Sequence, residues 1–310
     1  VSFHYVGWAP PDLRGTIALV TGASRGVGRG VALALGEAGA TVYVTGRSRA
    51  GSATEELPGT VAETATEVSR RGGRGIALVC DHFDDDATAG VFRSIGKEQG
   101  RLDVLVNNAW AGYERGTEAK FDAPFWQQPM WRWDLFEKSL RGQYYAARLA
   151  VPLMQAAGTG LIANMSFTNG DTYLGQVAYD ISKTSSDRMV VGMAYDLRKT
   201  SITAVSLHPG LVRTERVDAA WQALGAGPAA VAHSPEYVGR AVASLLGDPE
   251  RHRWSGQKLA VGDLAQAYSF DDVDGRRPGA FQLEGRMTLA TRMQRLNGIV
   301  ASTRAEATVD

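Results

Sequence analysis

The chain reads as an α/β fold, a doubly wound parallel sheet in a single domain. Three observations predict it. Short apolar strands alternate with amphipathic helices along most of the 310 residues. The first strand runs straight into a glycine-rich turn that opens a helix. No internal repeat, low-complexity block or apolar run of the ~20 residues needed to span a bilayer interrupts the alternation.

The elements follow in order. Thr16–Thr21 is the first strand, and Val27–Ala38 a helix closed by Gly39. Thr41–Thr45, rich in β-branched residues, is the second strand. A helix is expected over Thr54–Arg71, broken by Pro58 near its start and ended by Gly72 and Gly73. Ile76–Cys80 is the third strand. Asp85–Gln99 is a helix whose acids, Asp84 to Asp86, suit the positive end of its dipole better than a metal ion. Asp103–Val106 is the fourth strand. An irregular, aromatic stretch from Trp110 to Pro129 precedes a long helix, Arg132–Ala157, expected to be interrupted near Pro152. Then come strand Gly160–Ser166, helix Ala178–Lys199 and strand Ile202–Leu207. Ser234 caps a helix over Pro235–Leu246 with proline in its first position. Gln257–Val261 is the last strand. Beyond Ala265 the pattern fades, with a helix around Arg286–Ile299 and a polar end. The expected layout is an N-terminal extension (1–11), the α/β domain (12–264) with insertions near 110–130 and 214–232, and a C-terminal extension (265–310).

Three places carry chemistry. The first is the turn Thr21-Gly22-Ala23-Ser24-Arg25-Gly26-Val27-Gly28. Between a strand and a helix, glycines let the backbone approach a pyrophosphate, and the helix N-terminus offers free N–H groups and a positive dipole end. The second is the end of the second strand. A fold choosing NAD places an acid there for the ribose hydroxyls. This chain has Gly46 followed by Arg47. Arg25 and Arg47 together make a clamp for an adenosine 2′-phosphate, which favours NADP(H). A salt bridge to the glutamates near Glu55 is the competing use. The third is Tyr179 and Lys183, four apart and so on one helix face. An ammonium beside a phenol lowers the phenol's pKa toward the working range of a general acid or base. Ser166, thirteen residues before Tyr179, ends the fifth strand. It is placed either to donate to a substrate carbonyl or to bond to backbone.

Composition narrows the class. Lysine plus arginine equals aspartate plus glutamate, 33 each, which gives no electrostatic case for nucleic acid or an anionic membrane. Cys80 is the single cysteine and reads as a buried strand residue; no disulfide within the chain is possible. His4, His82, His208, His233 and His252 lack metal-ligand spacing, so no metal is expected. A cytoplasmic location is the default expectation.

Taken together, the TGASRGVG turn, Asp81, Asn107-Asn108-Ala109, Ser166, Tyr179, Lys183 and Pro209-Gly210 with Thr214 resemble the short-chain dehydrogenase/reductase family, over roughly Asp12 to Asp263. The resemblance implies a Rossmann-type fold and a role for each position. Gly22, Gly26 and Gly28 shape the pyrophosphate turn, with Ser24, Val27 and Ala109 beside the cofactor. Arg25 and Arg47 hold the 2′-phosphate, Asp81 contacts adenine and Asn107 lines the cleft. Tyr179 is the general acid or base, Lys183 binds the nicotinamide ribose and tunes Tyr179, and Pro209, Gly210 and Thr214 border the nicotinamide. A homodimer or homotetramer through the two long helices is also implied.

Three departures from the family pattern stand out. Where the long helix usually carries an asparagine three places before a glycine, this chain has Ser139 before Gly142. The usual pair of serines ending the fifth strand is Ser166-Phe167 here, with Thr168 as an alternative hydroxyl. Trp110 follows Asn-Asn-Ala where glycine is usual, and it projects toward nicotinamide or substrate. The expected activity is reduction of a ketone or aldehyde by NADPH, with a small-molecule carbonyl or alcohol as partner. The aromatics of the first insertion wall a pocket for a bulky apolar carbonyl compound or simply pack the insertion. The segment from Thr214 to Ala232 is the expected lid. Two other readings are a cofactor-binding sensor or scaffold without turnover and a carbon–carbon double-bond oxidoreductase.

Overall fold

The computed structural model describes residues 8–281 apart from 53, 55–56, 117, 168–172 and 224–230. Its strands are β1 (Ile17–Val20), β2 (Thr41–Gly46), β3 (Arg74–Val79), β4 (Val104–Asn107), β5 (Gly160–Met165), β6 (Ile202–His208) and β7 (Lys258–Ala260). They make one sheet in the order β3-β2-β1-β4-β5-β6-β7, and every neighbouring pair is parallel. The order reverses direction between β1 and β4, which opens a crevice at the carboxyl ends of the strands, where open α/β sheets bind ligands.

The helices are α1 (Gly26–Glu37), α2 (Val61–Arg70), α3 (Asp85–Gln99), α4 (Met130–Ala157), α5 (Val177–Leu197), α6 (Glu215–Ala223), α7 (Pro235–Gly247) and α8 (Val261–Tyr268). Strand side chains alternate between the two faces even though β1 and β4 are wholly buried. Ala18 and Val20 join the core under α1, α2, α7 and α8. Ile17 and Leu19 join the core under α3, α4 and α5.

Local chemistry explains most boundaries. Ser234 Oγ accepts from Tyr237 N at the head of α7, and Pro235 occupies the first turn. Asp84 caps α3, which ends at Gly100 in the left-handed conformation. The α2 helix starts later than Thr54. Pro58 ends any earlier helical path, and Thr60 with Glu63 forms a capping box that starts the helix at Val61. The α4 helix runs through Pro152 without interruption. The short helix α6 lies in the segment expected to form a lid, and α8 starts at Val261, where the sequence suggests the end of the last strand. The helix expected over Arg286–Ile299 lies outside the described residues. Cys80 is buried just past β3.

Candidate active site

The crevice begins at the glycine turn. Thr21 fastens it to β4: its Oγ1 donates to the Val106 carbonyl and accepts from the backbone N–H groups of Asn108 and Ala109. The Asn108 amide donates back to the carbonyls of Thr21 and Gly22 at 2.9 and 3.0 Å. The turn is built so close to this strap that side chains are excluded. Gly22 has a positive φ, and a Cβ there meets Ala109 Cα at 2.8 Å; a Cβ on Gly28 meets the Asn108 amide at 2.4 Å. This cradle lines a cavity of about 330 Å³ that also touches Ser24, Val27, Asp81, Ala109 and Thr214. Its chemistry suits a dinucleotide, because an anion already sits at the α1 N-terminus: Glu215 Oε2 accepts from Gly26 N at 2.8 Å.

The two arginines are used differently. Arg25 reaches over the β2–α2 connection, donating to the carbonyls of Thr54, Leu57, Pro58 and Gly59 and to Ser48 Oγ. It braces the loop that forms the adenosine side of the cleft. Arg47 makes an ion pair with Glu114, from the first insertion. This acid lies more than sixty residues away in sequence, and the glutamates near Glu55, expected as competitors, lie outside the described residues.

Asn107 does not face the cleft. Its amide donates to the Gln143 carbonyl and Asn164 Oδ1, locking α4 to β5 from inside. Side chains alternate along β4, so the cleft-lining asparagine is Asn108. Ser139 is buried and donates to the Leu135 carbonyl one turn earlier. Beside it, Thr21, His82, Asn107 and Gln143 border a void of about 10 Å³, roughly the lower limit for one water. His82 is buried against Thr45 Oγ1 at 2.7 Å, and burial pushes its imidazole down to about 4.

At the reacting end, Gln176 caps α5 by accepting from Tyr179 N, which sets Tyr179 in the first turn. Its ring packs among Trp110, Phe121 and Phe136, with centroids 5.7, 5.7 and 6.1 Å away. Burial, with Tyr113 and Asp180 nearby, pushes the Tyr179 phenol up rather than down. Lys183 lies one turn on, its Nζ 5.8 Å from the Tyr179 ring centroid and 4.7 Å from that of Trp110. Burial lowers it to about 8 against the opposing charge of Asp187. Burial thus sets the direction for both groups, where the Tyr-x-x-x-Lys spacing alone suggests a lowered phenol.

Ser166 takes the backbone use: its Oγ donates to the Lys183 carbonyl at 3.0 Å, tying β5 to α5. Its single hydrogen is thereby committed away from a substrate oxygen. Thr168 lies outside the described residues. His233 Nε2 is 2.6 Å from the Pro209 carbonyl. Gly210 has φ near 85° with Phe281 against it, and Phe281 meets Phe167 at 5.8 Å. Pro209 and Gly210 therefore stand just past β6, with Phe281 of the C-terminal extension against Gly210. Glu114 and Glu215 carry no signal in the motifs, Asn108 stands in its motif without a role, and Trp110 appears there only as a departure.

A nucleotide-type crevice at the sheet's switch point, with a tyrosine and a lysine one helical turn apart against the Trp110 that lines it, defines a dinucleotide-dependent oxidoreductase of the Rossmann class. The family model described as short chain dehydrogenase matches residues 16–224. The chain is 39% identical over 281 residues to dehydrogenase/reductase SDR family member 1 of Mus musculus, covering 85% of each chain. Among solved structures, a short-chain dehydrogenase from Mycobacterium thermoresistibile superposes with a TM-score of 0.73 at 26% identity, covering 89% of this chain and 99% of the other. A metagenomic short-chain oxidoreductase in complex with NADP superposes with a TM-score of 0.62 at 26% identity, over 80% and 97% of the two chains. This chain belongs to the short-chain dehydrogenase family, whose members act with a nicotinamide cofactor. Among the described residues, no helix is long and apolar enough to cross a membrane.

Proposed function

We propose that this chain is an NADP(H)-dependent oxidoreductase acting between a carbonyl and an alcohol, working as a reductase of a ketone or aldehyde. The observation that carries the reading is the placement of Tyr179 and Lys183 on consecutive turns of α5, both against Trp110, which lines the same cavity as the glycine cradle. Bound cofactor supplies the hydride. The α1 N-terminus binds the pyrophosphate at Gly26, with Gly22 and Gly28 allowing its approach. Arg47 takes the 2′-phosphate, and Arg25 holds the loop beneath it.

In reduction, the Tyr179 hydroxyl donates its proton to the developing alkoxide; in oxidation the phenolate takes one back. The protonated Lys183 favours that phenolate once polar groups replace Trp110 beside it. Ser166 orients the substrate oxygen only after its hydrogen leaves the Lys183 carbonyl, so its role is secondary to that of Tyr179. The aromatic group of Trp110, Phe121, Phe136 and Phe167 around Tyr179 favours a bulky apolar carbonyl compound. Tyr144, Ile181, Val191 and Tyr195 stand exposed on α4 and α5, which supports a homodimer or homotetramer through these helices. The relative solved with NADP supports the choice of cofactor.

The test is binding of NADPH and NADH, followed by nicotinamide fluorescence, to wild type and Arg47→Ala. Tighter binding of NADPH than NADH, with the advantage reduced at least tenfold in the variant, is expected from the loss of a charge-assisted phosphate contact. Equal affinity for both nucleotides in both proteins removes the NADP(H) assignment, and failure to bind either removes the oxidoreductase reading.

A further inference from the structure

Both anion-binding places of the crevice are engaged by carboxylates of the chain itself. Glu215 occupies the α1 N-terminus through Gly26 N, and Glu114 occupies Arg47. The two acids come from the two insertions that border the site, Glu114 between β4 and α4 and Glu215 at the head of α6. Both line the same cavity as the glycine cradle. A carboxylate and a phosphate offer the same thing to an N–H group, namely anionic oxygen acceptors. When Gly26 N and the Arg47 guanidinium serve a phosphate, the resident carboxylate loses its partner and faces a like charge.

The two exchanges are not equivalent. A diphosphate is present in both nicotinamide dinucleotides, so displacement of Glu215 applies equally to each. Only the 2′-phosphorylated one must take Arg47 from Glu114. With the other, the Arg47–Glu114 pair persists beside a ribose hydroxyl. Arg25 does not change this, because its guanidinium is spread over the carbonyls of the β2–α2 loop. The other charged or titratable residues lining the cavity are Cys80, Asp81, His82, Tyr113 and Arg216, and the Arg216 guanidinium lies 5.9 Å from the Tyr113 ring. The Phe83 ring lies 6.0 Å from the Arg47 guanidinium.

We propose that Glu114 is a specificity-determining residue: its carboxylate competes with the adenosine 2′-phosphate for Arg47 and narrows the preference for NADP(H) over NAD(H). Glu215 is its counterpart at the diphosphate, setting the affinity for both cofactors alike. The proposal rests on the NADP(H) reading above.

The experiment titrates NADPH and NADH into wild type, Glu114→Gln, Glu215→Gln and Arg47→Ala, each checked for an unchanged thermal midpoint. Glu114→Gln tightens NADPH by about threefold or more, the scale of a partly exposed ion pair, and leaves NADH within about twofold. Glu215→Gln tightens both by the same factor. Adenosine 2′,5′-bisphosphate against AMP repeats the Glu114 comparison without the nicotinamide end of the site. If Glu114→Gln lowers stability, Glu114→Asp, with a shorter reach, gives the same change in ratio. An NADPH-to-NADH affinity ratio that Arg47→Ala lowers but neither Glu114 variant raises overturns the proposal and leaves the cofactor reading standing. A ratio that Arg47→Ala does not move removes the cofactor reading and this proposal with it.

Discussion

The two ends of the crevice are built by opposite means. At the adenosine end, shape comes from atoms that are missing. Gly22 and Gly28 lie where a Cβ would strike the Asn108–Ala109 strap, and polar groups are fastened by backbone hydrogen bonds. At the reacting end, shape comes from bulk: Trp110, Phe121 and Phe136 pack around Tyr179, and Trp110 covers Lys183. The first end works by permitting close approach of any dinucleotide. The second is filled by aromatic rings packed around Tyr179. The first insertion serves both ends, with Glu114 on Arg47 at one and Trp110 and Phe121 around Tyr179 at the other.

The largest effect is expected where the filling meets the chemistry. Tyr179→Phe keeps the ring and its packing with Trp110, Phe121 and Phe136 while removing the hydroxyl proposed to move the proton. Turnover of a carbonyl substrate with NADPH should fall by about 10²–10⁴-fold, the usual contribution of general acid–base catalysis. Nucleotide affinity should change little, because the adenosine end is untouched. A fluorescence titration beside the rate assay reads both. Loss of binding in step with loss of rate shows instead that the two ends are coupled through the aromatic group.

The next effect tests whether the adenosine end owes its rigidity to buried polar groups. His82 is neutral, pushed down to about 4 by burial, below its ordinary value of 6.5. The unfolded chain takes up a proton between those values and the folded chain does not. The contribution is therefore whole above about pH 6.5 and is lost progressively as the pH falls toward 4. The loss should be on the order of 3 kcal/mol, read as a falling denaturant midpoint across that range. His82→Gln should flatten the slope. A wild-type midpoint constant from pH 7 to 4.5 refutes this account of His82.

How much of this was legible in the sequence divides along the same line. The sheet, the glycine turn and the α5 pair could be read because each depends on neighbours close in the chain: a strand's alternation, a turn's glycines, a helix's four-residue repeat. What could not be read depends on contacts between distant segments. Asn107 and Asn108 are adjacent, and only the register of β4 beside β1 and β5 decides that Asn108 meets the glycine turn while Asn107 holds α4. Spacing puts Ser166 at the end of the fifth strand, while its hydrogen is taken by a carbonyl seventeen residues on. Arg47 meets an acid from the other side of the crevice. Pro152 was read as a break, but α4 is packed on both sides by α3 and α5, and tertiary contact carries the helix past the missing N–H. Tyr179 illustrates the same limit in electrostatics: the spacing shows that a lysine is near, and only the fold shows that both are buried.

The smallest effect separates close approach for ligand from close approach for packing, using two glycines on one helix. A Cβ on Gly28 meets the Asn108 amide at 2.4 Å and the Gly22 carbonyl at 2.5 Å, inside the cradle. A Cβ on Gly30 meets the backbone of Pro235 at 2.2 Å, on the face where α1 packs against α7. Neither glycine has a positive φ, so alanine strains neither backbone directly; each overpacks a contact. Both substitutions should cost about 1–3 kcal/mol of stability, offset by the few tenths to ~1 kcal/mol that alanine gains over glycine in a helix. Their effects on function should differ. Gly28→Ala shifts Asn108 and the turn, so nucleotide affinity should fall together with the unfolding midpoint. Gly30→Ala shifts α7 and should lower the midpoint while leaving the affinity of the folded protein within about twofold. If Gly30→Ala weakens nucleotide binding as much as Gly28→Ala does, the cradle is held in place by the α1–α7 packing rather than by its strap to β4. The adenosine end would then depend on bulk in the same way as the reacting end.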